Sequence, residues 1–99
     1  MPRREDLVIA LTIYTRPGCH LCQEMKVIVE RVVRETHAAA EIQEIDIANN
    51  RDLEERYGLE IPVLLVNGKK AAKYRVSEKE LARILMSMAG EPGPTRAES

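Results

Sequence analysis

Long apolar segments are the first thing that this 99-residue sequence lacks. A transmembrane helix takes about 20 consecutive apolar residues; no segment here approaches that length, so we expect no membrane span. The apolar run Leu7 to Tyr14 is short, contains threonine and precedes no small-residue cleavage site. We therefore interpret it as a β-strand and not as the core of a signal peptide.

An excess of charge of either sign is also absent. The chain carries 15 Lys and Arg against 16 Asp and Glu, a formal net charge of −1. This balance offers no electrostatic basis for binding nucleic acid or an anionic membrane surface. The length and the 44% hydrophobic content suit one small domain. We expect a monomeric domain over residues 1–90 and a disordered tail over 91–99, where prolines occur without an apolar pattern.

Cysteine is scarce as well, because Cys19 and Cys22 are the only two in the chain. Since we see no export signal, we expect a reducing, cytoplasmic location. There a close cysteine pair is more often catalytic, redox-sensing or metal-binding than a structural disulfide. The pair lies between the apolar run and a strongly helical segment that begins at Leu21. A C-x-x-C motif between a strand and a helix is typical of thioredoxin-like redox sites.

Periodicity and turn residues predict seven elements in the order β-α-β-α-β-β-α. The predicted segments are strands over 7–14, 41–47, 62–66 and 70–74, and helices over 21–39, 51–57 and from a capping box at Ser77 to Gly90. We expect the first strand to be buried on both faces and the second on one face. Asn67-Gly68 predicts a hairpin. Two βαβ crossovers and this hairpin give an α/β fold, a mixed four-stranded sheet flanked by helices.

This order, with C-x-x-C at the first helix and Ile61-Pro62 before the third strand, resembles the thioredoxin fold. The sequence is most similar to the glutaredoxin-like branch of that fold. Segment 14–19 is similar to the approach to a glutaredoxin active site, and segment 57–63 to its cis-proline segment. The resemblance covers about residues 7 to 89. It implies a thioredoxin-like βαβαββα fold, a cis peptide bond before Pro62 and thiol-disulfide oxidoreductase activity.

The chain departs from these families near the motif. His20-Leu21 stands where dithiol glutaredoxins commonly carry proline and an aromatic residue, and segment 73–77 lacks the Gly-Gly turn and acidic residues that help to hold glutathione. Compared with thioredoxin, no tryptophan precedes Cys19. No acidic residue lies between Leu7 and Cys19 to act as the buried carboxylate. These departures shift the expected reductant modestly from glutathione toward a protein.

The cysteine order suggests an order of attack. Cys19 lies at the predicted helix start, where unpaired N–H groups and the helix dipole favour a thiolate. We therefore predict that Cys19 attacks a substrate disulfide and that Cys22, one turn further in, resolves the mixed disulfide. The alternative is two ordinary buried cysteines. His20 is either a stabiliser of the thiolate or a proton donor, or else an exposed residue with no role in the chemistry.

The resemblance also implies residues that bind substrate. Arg16 matches a basic position that contacts the glutathione carboxylate in glutaredoxins; the alternative is simple surface charge. The Ile61 backbone, beside cis-Pro62, would pair with an extended substrate as a peptide pairs with a sheet edge. Tyr74 and Arg75 fall where glutaredoxins bind glutathione. We interpret Tyr74 as a strand residue that packs on a helix, and Arg75 as solvent-exposed.

Four functions remain open for the motif. The leading one is a thiol-disulfide oxidoreductase that binds no cofactor or metal, takes electrons from glutathione or a protein reductase, and acts on a disulfide-containing protein or small molecule. The second is a metal-binding module in which Cys19, Cys22 and possibly His20 form part of a zinc or iron–sulfur site. A structural zinc site typically takes four ligands, and a dimer could share two pairs. The others are a non-catalytic adaptor that binds peptides and a redox-sensing regulator.

Overall fold

A mixed sheet of four strands organises the molecule, which a computed structural model describes over residues 8–89. The elements are β1 (Ile9–Thr15), α1 (His20–Thr36), β2 (Ala40–Asp46), a 3-10 turn (Ile47–Asn49), α2 (Arg51–Tyr57), β3 (Val63–Val66), β4 (Lys69–Lys73) and α3 (Glu78–Ala89). The strand order is β2-β1-β3-β4. The predicted α/β class and βαβαββα order are confirmed. Leu7, Gly90 and the predicted tail over 91–99 lie outside the described residues.

Strand β1 pairs with β2 in parallel and with β3 antiparallel, and β3 pairs with β4 antiparallel. The prediction of two βαβ crossovers is therefore wrong for the second connection. Because β3 runs opposite to β1, α2 links β2 to a strand of opposite direction two positions away. The hairpin prediction is confirmed: Asn67 and Gly68 both adopt positive φ, 50° and 86°, as the favoured two-residue hairpin turns require.

The core lies between one face of the sheet and helices α1 and α3. Its buried members come from two strands, β1 and β3, and from the two helices: Ile9, Leu11, Ile13, Met25, Val29, Val32, Leu64, Val66, Leu81 and Leu85. Alternate residues of β1 and β3 point to this face, and residues three or four apart on each helix meet them. An ion pair between Arg31 and Glu78, 2.8 Å apart, also connects α1 to α3.

Burial corrects two predictions about the strands. Strand β1 is not buried on both faces, since Ala10 is exposed and Thr12 is half-buried. The physical reason is that α2, only seven residues long, covers part of that face, where Tyr14 stacks on Tyr57 with ring centroids 4.8 Å apart. The burial of strand β2 is also not confined to the one face that its alternating pattern predicts. It is an edge strand, and its half-buried isoleucines at 42 and 45 point to opposite faces.

The helix ends follow local capping chemistry. Helix α1 ends at Thr36 and not near residue 39, because His37 takes a left-handed conformation with φ 57° and its N–H donates to the Arg34 carbonyl. The side chain of Asn50 accepts from the Leu53 N–H at the start of α2. Ser77 Oγ accepts from the Glu80 N–H at 3.2 Å, one half of the predicted capping box. Within residues 8–89, no helix is both long and apolar enough to cross a membrane.

The packing of α3 predicts a sharp contrast between two neighbouring residues. Leu85 is fully buried and Met86 is 61% exposed. We expect Leu85→Ala to lower the free energy of unfolding by about 2–5 kcal/mol, because it removes buried methyl groups and leaves a cavity. Met86→Ala, the matched control, should change it by less than about 0.5 kcal/mol. Urea denaturation followed by circular dichroism measures both, and equal losses would contradict this description of the core.

Candidate functional site at the start of the first helix

The two cysteines lie where the chain turns from β1 into α1. The Cys19 N–H donates to the Arg16 carbonyl at 3.2 Å and closes a tight turn. Gly18 within that turn has φ 78°, a left-handed conformation that glycine adopts without a steric cost. Cys19 is then the N-cap residue of α1, with φ −89° and ψ 111°. The turn therefore delivers the first sulfur to the unpaired N–H groups of the helix.

Cys19 and Cys22 form a disulfide, with Cα atoms 5.2 Å apart. The Cys22 N–H donates to Cys19 Sγ at 3.1 Å. Cys22 is buried, with 3% of its surface exposed, while Cys19 is half-buried. An N–H group at a helix start favours negative charge on the atom that it contacts. The arrangement therefore suits an accessible Cys19 thiolate in the reduced state, with the second sulfur shielded behind it.

A cleft of about 210 Å³ opens beside the disulfide and is lined by both cysteines, Arg16 and two carboxylates, Glu44 and Asp46. Neither carboxylate is predicted as a site residue from the sequence, in which no acid lies between Leu7 and Cys19. They come from β2, whose parallel register sets Asp46 opposite Thr15 at the end of β1. The available signal was the predicted parallel pairing, which brings the carboxyl ends of the two strands to the same edge.

Arg16 forms an ion pair with a residue of α2. Its Nη2 donates a hydrogen bond to Glu54 Oε1, and the two side chains are 39% and 34% exposed. The resemblance allows Arg16 to be either a glutathione contact or simple surface charge. In the structure its guanidinium already pairs with a carboxylate that sequence reasoning did not identify. No local pattern relates positions 38 residues apart, so only the fold reveals this pair.

His20 does not line the cleft that contains the cysteines. It is exposed at the first position of α1 and lies on another groove, with Gln23, Glu24, Val27 and Ile28. Its neighbour in sequence, Cys19, faces the cleft. A role of His20 in stabilising the thiolate stays a prediction.

The Ile61–Pro62 peptide bond is cis, as the resemblance implies. Pro62 directly precedes β3, and the antiparallel register pairs Val63 with Tyr14. Since Tyr14 lies at the carboxyl end of β1, the cis-proline segment and the cysteine turn share one end of the sheet. Pairing of a substrate with the Ile61 backbone stays a prediction.

The structure contradicts the predicted position of Tyr74. This residue follows β4 in a left-handed conformation, with φ 68°, and is 44% exposed, so it is not a strand residue packed on a helix. Its N–H donates to the Pro62 carbonyl at 2.8 Å, and its hydroxyl donates to the Leu59 carbonyl at 2.9 Å. Both bonds hold the segment that carries the cis-proline. Arg75 is exposed, as predicted.

Charge also surrounds the cis-proline segment. A hydrogen bond from Lys70 to Glu60, at 2.8 Å, and the positive charges of Lys70 and Lys73 lower the pKa of the Glu60 carboxyl. The same hydrogen bond raises the pKa of Lys70. The Lys70 Nζ also lies 6.0 Å from the centre of the Tyr57 ring. Among residues 8–89, no group of three or more His, Cys, Asp or Glu side chains is arranged to hold a metal ion.

Comparison with known proteins gives one consistent result. The family model described as "Glutaredoxin-like domain (DUF836)" matches residues 10–86. The "Glutaredoxin-like protein YDR286C homolog" of Dictyostelium discoideum is 35% identical over 77 residues, 74% of this chain and 71% of the relative. The solution structure of protein Ne2328 from Nitrosomonas europaea aligns with TM-score 0.67 and 28% identity, covering 78% of this chain and 91% of that one. A mutant thioredoxin from Halobacterium salinarum NRC-1 aligns with TM-score 0.59 and 22% identity, covering 82% and 74%, and supports the fold alone.

The Glu60–Lys70 contact predicts a pH dependence. Because the folded pKa of Glu60 is lowered, the pair stabilises the fold above the unfolded pKa, and this contribution is lost as the pH falls through the folded pKa. Lys70→Gln should raise the pKa of Glu60 toward its ordinary value, incompletely, since Lys73 remains 4.0 Å away. The Lys70→Gln protein should have a lower free energy of unfolding than the unmodified protein at neutral pH, and this difference should vanish in acid.

An NMR titration measures the pKa of Glu60. Urea denaturation at neutral pH and at acidic pH measures the difference in stability. Lys69→Gln, at an exposed position of the same strand, removes the same charge and serves as the control. A Glu60 pKa that moves equally in both variants would contradict a specific contact with Lys70.

Proposed function

This chain belongs to the glutaredoxin-like domain (DUF836) family, and on that basis we propose that it is a thiol-disulfide oxidoreductase. The single observation that carries the proposal is the contact of the Cys22 N–H with Cys19 Sγ at the start of α1. A thiolate is the nucleophile in disulfide exchange, and a helix N-terminus stabilises it. The disulfide between the two cysteines supports the same chemistry, since it is the oxidised form of such a site.

In the reduced protein, the Cys19 thiolate attacks one sulfur of a substrate disulfide. A Cys19–substrate disulfide forms, the substrate S–S bond breaks, and one substrate thiolate leaves. Cys22 then loses its proton to solvent or to a nearby carboxylate and attacks Cys19 Sγ. The second substrate thiolate leaves, and the Cys19–Cys22 disulfide forms. Two electrons pass from the dithiol to the substrate.

We also propose an electron donor and a substrate class for this reaction. Glutathione or a protein reductase would return two electrons to the Cys19–Cys22 disulfide, and the missing Gly-Gly turn in segment 73–77 favours the protein. The substrate would be a disulfide-containing protein or small molecule, with the Ile61 backbone beside Pro62 pairing with an extended substrate chain. We propose that the protein acts as a monomer in the reducing conditions of the cytoplasm.

Single cysteine variants test the order of attack. Cys22→Ser should trap a mixed disulfide at Cys19 when the reduced protein meets a small disulfide, because the resolving thiol is gone. Cys19→Ser should trap little, since the remaining sulfur is 3% exposed in the folded protein. Intact-protein mass spectrometry measures the adduct. An adduct that accumulates faster on Cys19→Ser would reverse the assigned roles.

Two coupled assays test the choice of reductant. Turnover of a small disulfide with NADPH and thioredoxin reductase should exceed turnover with glutathione and glutathione reductase, because the turn that helps to hold glutathione is missing. NADPH consumption reports both, and the Cys19→Ser protein provides the background rate. Faster turnover with glutathione would contradict the preference for a protein reductant. Turnover with neither system would contradict the proposed activity.

A further inference from the structure

The charge of the cleft beside the disulfide is set by few side chains. Among the described residues that line it, Arg16 is the one cation, and Glu44 and Asp46 are the two anions. Lys26 approaches Glu44 from α1 at 3.3 Å. Asp46 Oδ1 accepts from the Ala48 N–H at 2.8 Å. An anion that enters the cleft would therefore depend on Arg16 for a favourable partner.

That cation is already neutralised. Glu54 on α2 accepts a hydrogen bond from the Arg16 guanidinium, and both side chains are about one-third exposed, at 34% and 39%. Charge-assisted contacts of this kind are stronger than ordinary hydrogen bonds. Glu54 therefore lowers the net positive charge that Arg16 presents to a carboxylate ligand, whether or not the ligand reaches the remaining N–H groups of the guanidinium.

Gly58, at the end of α2, lies in close contact with the Arg16–Glu54 pair. Gly58 packs so closely against it that a Cβ atom there would lie 2.7 Å from Glu54 Oε1 and 3.2 Å from Arg16 Nη2. The same Cβ would lie 2.5 Å from the Glu54 carbonyl oxygen. The φ of Gly58 is −55°, which any residue adopts. The requirement for glycine is therefore one of space. The end of α2 therefore packs directly against the Arg16–Glu54 pair.

We propose that Glu54 determines the charge selectivity of the site: by neutralising Arg16, it directs the protein toward disulfides that carry no negative charge beside the sulfur. The substrate class is then neutral or cationic disulfides, and anionic ones such as glutathione disulfide are disfavoured. This inference rests on the proposed oxidoreductase function and names its substrate class. Cys19 and Cys22 react with these disulfides by the same two exchange steps.

The test compares three small disulfides in single turnovers of the pre-reduced protein. Cystamine is cationic, 2-hydroxyethyl disulfide is neutral and glutathione disulfide is anionic. Acid quenching and mass spectrometry follow each reaction and give its second-order rate constant. This value is divided by the rate constant for the same disulfide with a neutral reference thiol. This removes differences in leaving-group reactivity. The normalised rate should fall in the order cationic, neutral, anionic.

Glu54→Gln preserves a hydrogen-bond acceptor for Arg16 and removes the negative charge, and Glu54→Ala removes the acceptor as well. Both should raise the ratio of the anionic to the cationic rate by about three- to tenfold, the effect of one charge near contact distance in a partly exposed site. The ratio cancels any general change in Cys19 reactivity. Circular dichroism and thermal melting verify that the variants fold.

Two controls make the result specific. Glu55→Gln removes the same charge from the next, exposed position of α2 and should leave the ratio unchanged. In an Arg16→Gln background, Glu54→Gln should raise the ratio less than it does in the unmodified protein, since the part of its effect that acts through Arg16 is gone. An unchanged ratio in both Glu54 variants, or an equal change in Glu55→Gln, overturns the inference. Failure of the unmodified protein to react with any of the three disulfides overturns the proposed function instead.

Discussion

The hydrogen bond from the Cys22 amide to the Cys19 sulfur, at 3.1 Å, is the contact on which the rest of the site depends. It exists because the chain turns sharply after β1 and begins a helix at the residue that carries the sulfur. The helix in turn keeps its direction because Met25, Val29 and Val32 are buried against the sheet and α3. The packing of the core therefore positions a helix N-terminus, and the N-terminus positions the thiol.

The sheet order gathers the other parts of the site at the same end. Parallel pairing of β1 with β2 sets Thr15 beside Asp46, and antiparallel pairing with β3 sets Tyr14 beside Val63, directly after the cis-proline. The mixed sheet thus supplies carboxylates on one side of the cysteine turn and the cis-proline segment on the other. Hydrogen bonds from Tyr74 to the Pro62 and Leu59 carbonyls hold that segment in place.

Local signals predicted the element order well. The Asn67-Gly68 hairpin, the start of α3 near Ser77 and the strand–turn–helix around the cysteines all follow from short-range chemistry, and the structure has them. The errors concern what covers each element. Ala10 is exposed because α2 is too short to cover its side of the sheet, and α1 stops early because His37 takes a left-handed conformation. Residue patterns report periodicity, whereas burial depends on how far a neighbouring element reaches.

The sequence by itself determined the spacing of Cys19 and Cys22, their place at the start of a helix and hence which sulfur lies nearest the unpaired N–H groups. These properties depend on residues within one helical turn of each other. Only the tertiary structure decided that Glu44 and Asp46 line the cleft and that Glu54 neutralises Arg16. Such contacts join residues far apart in the chain. Because a partly exposed ion pair contributes little free energy, the Arg16–Glu54 pair is a consequence of how β1 and α2 pack and does not direct that packing.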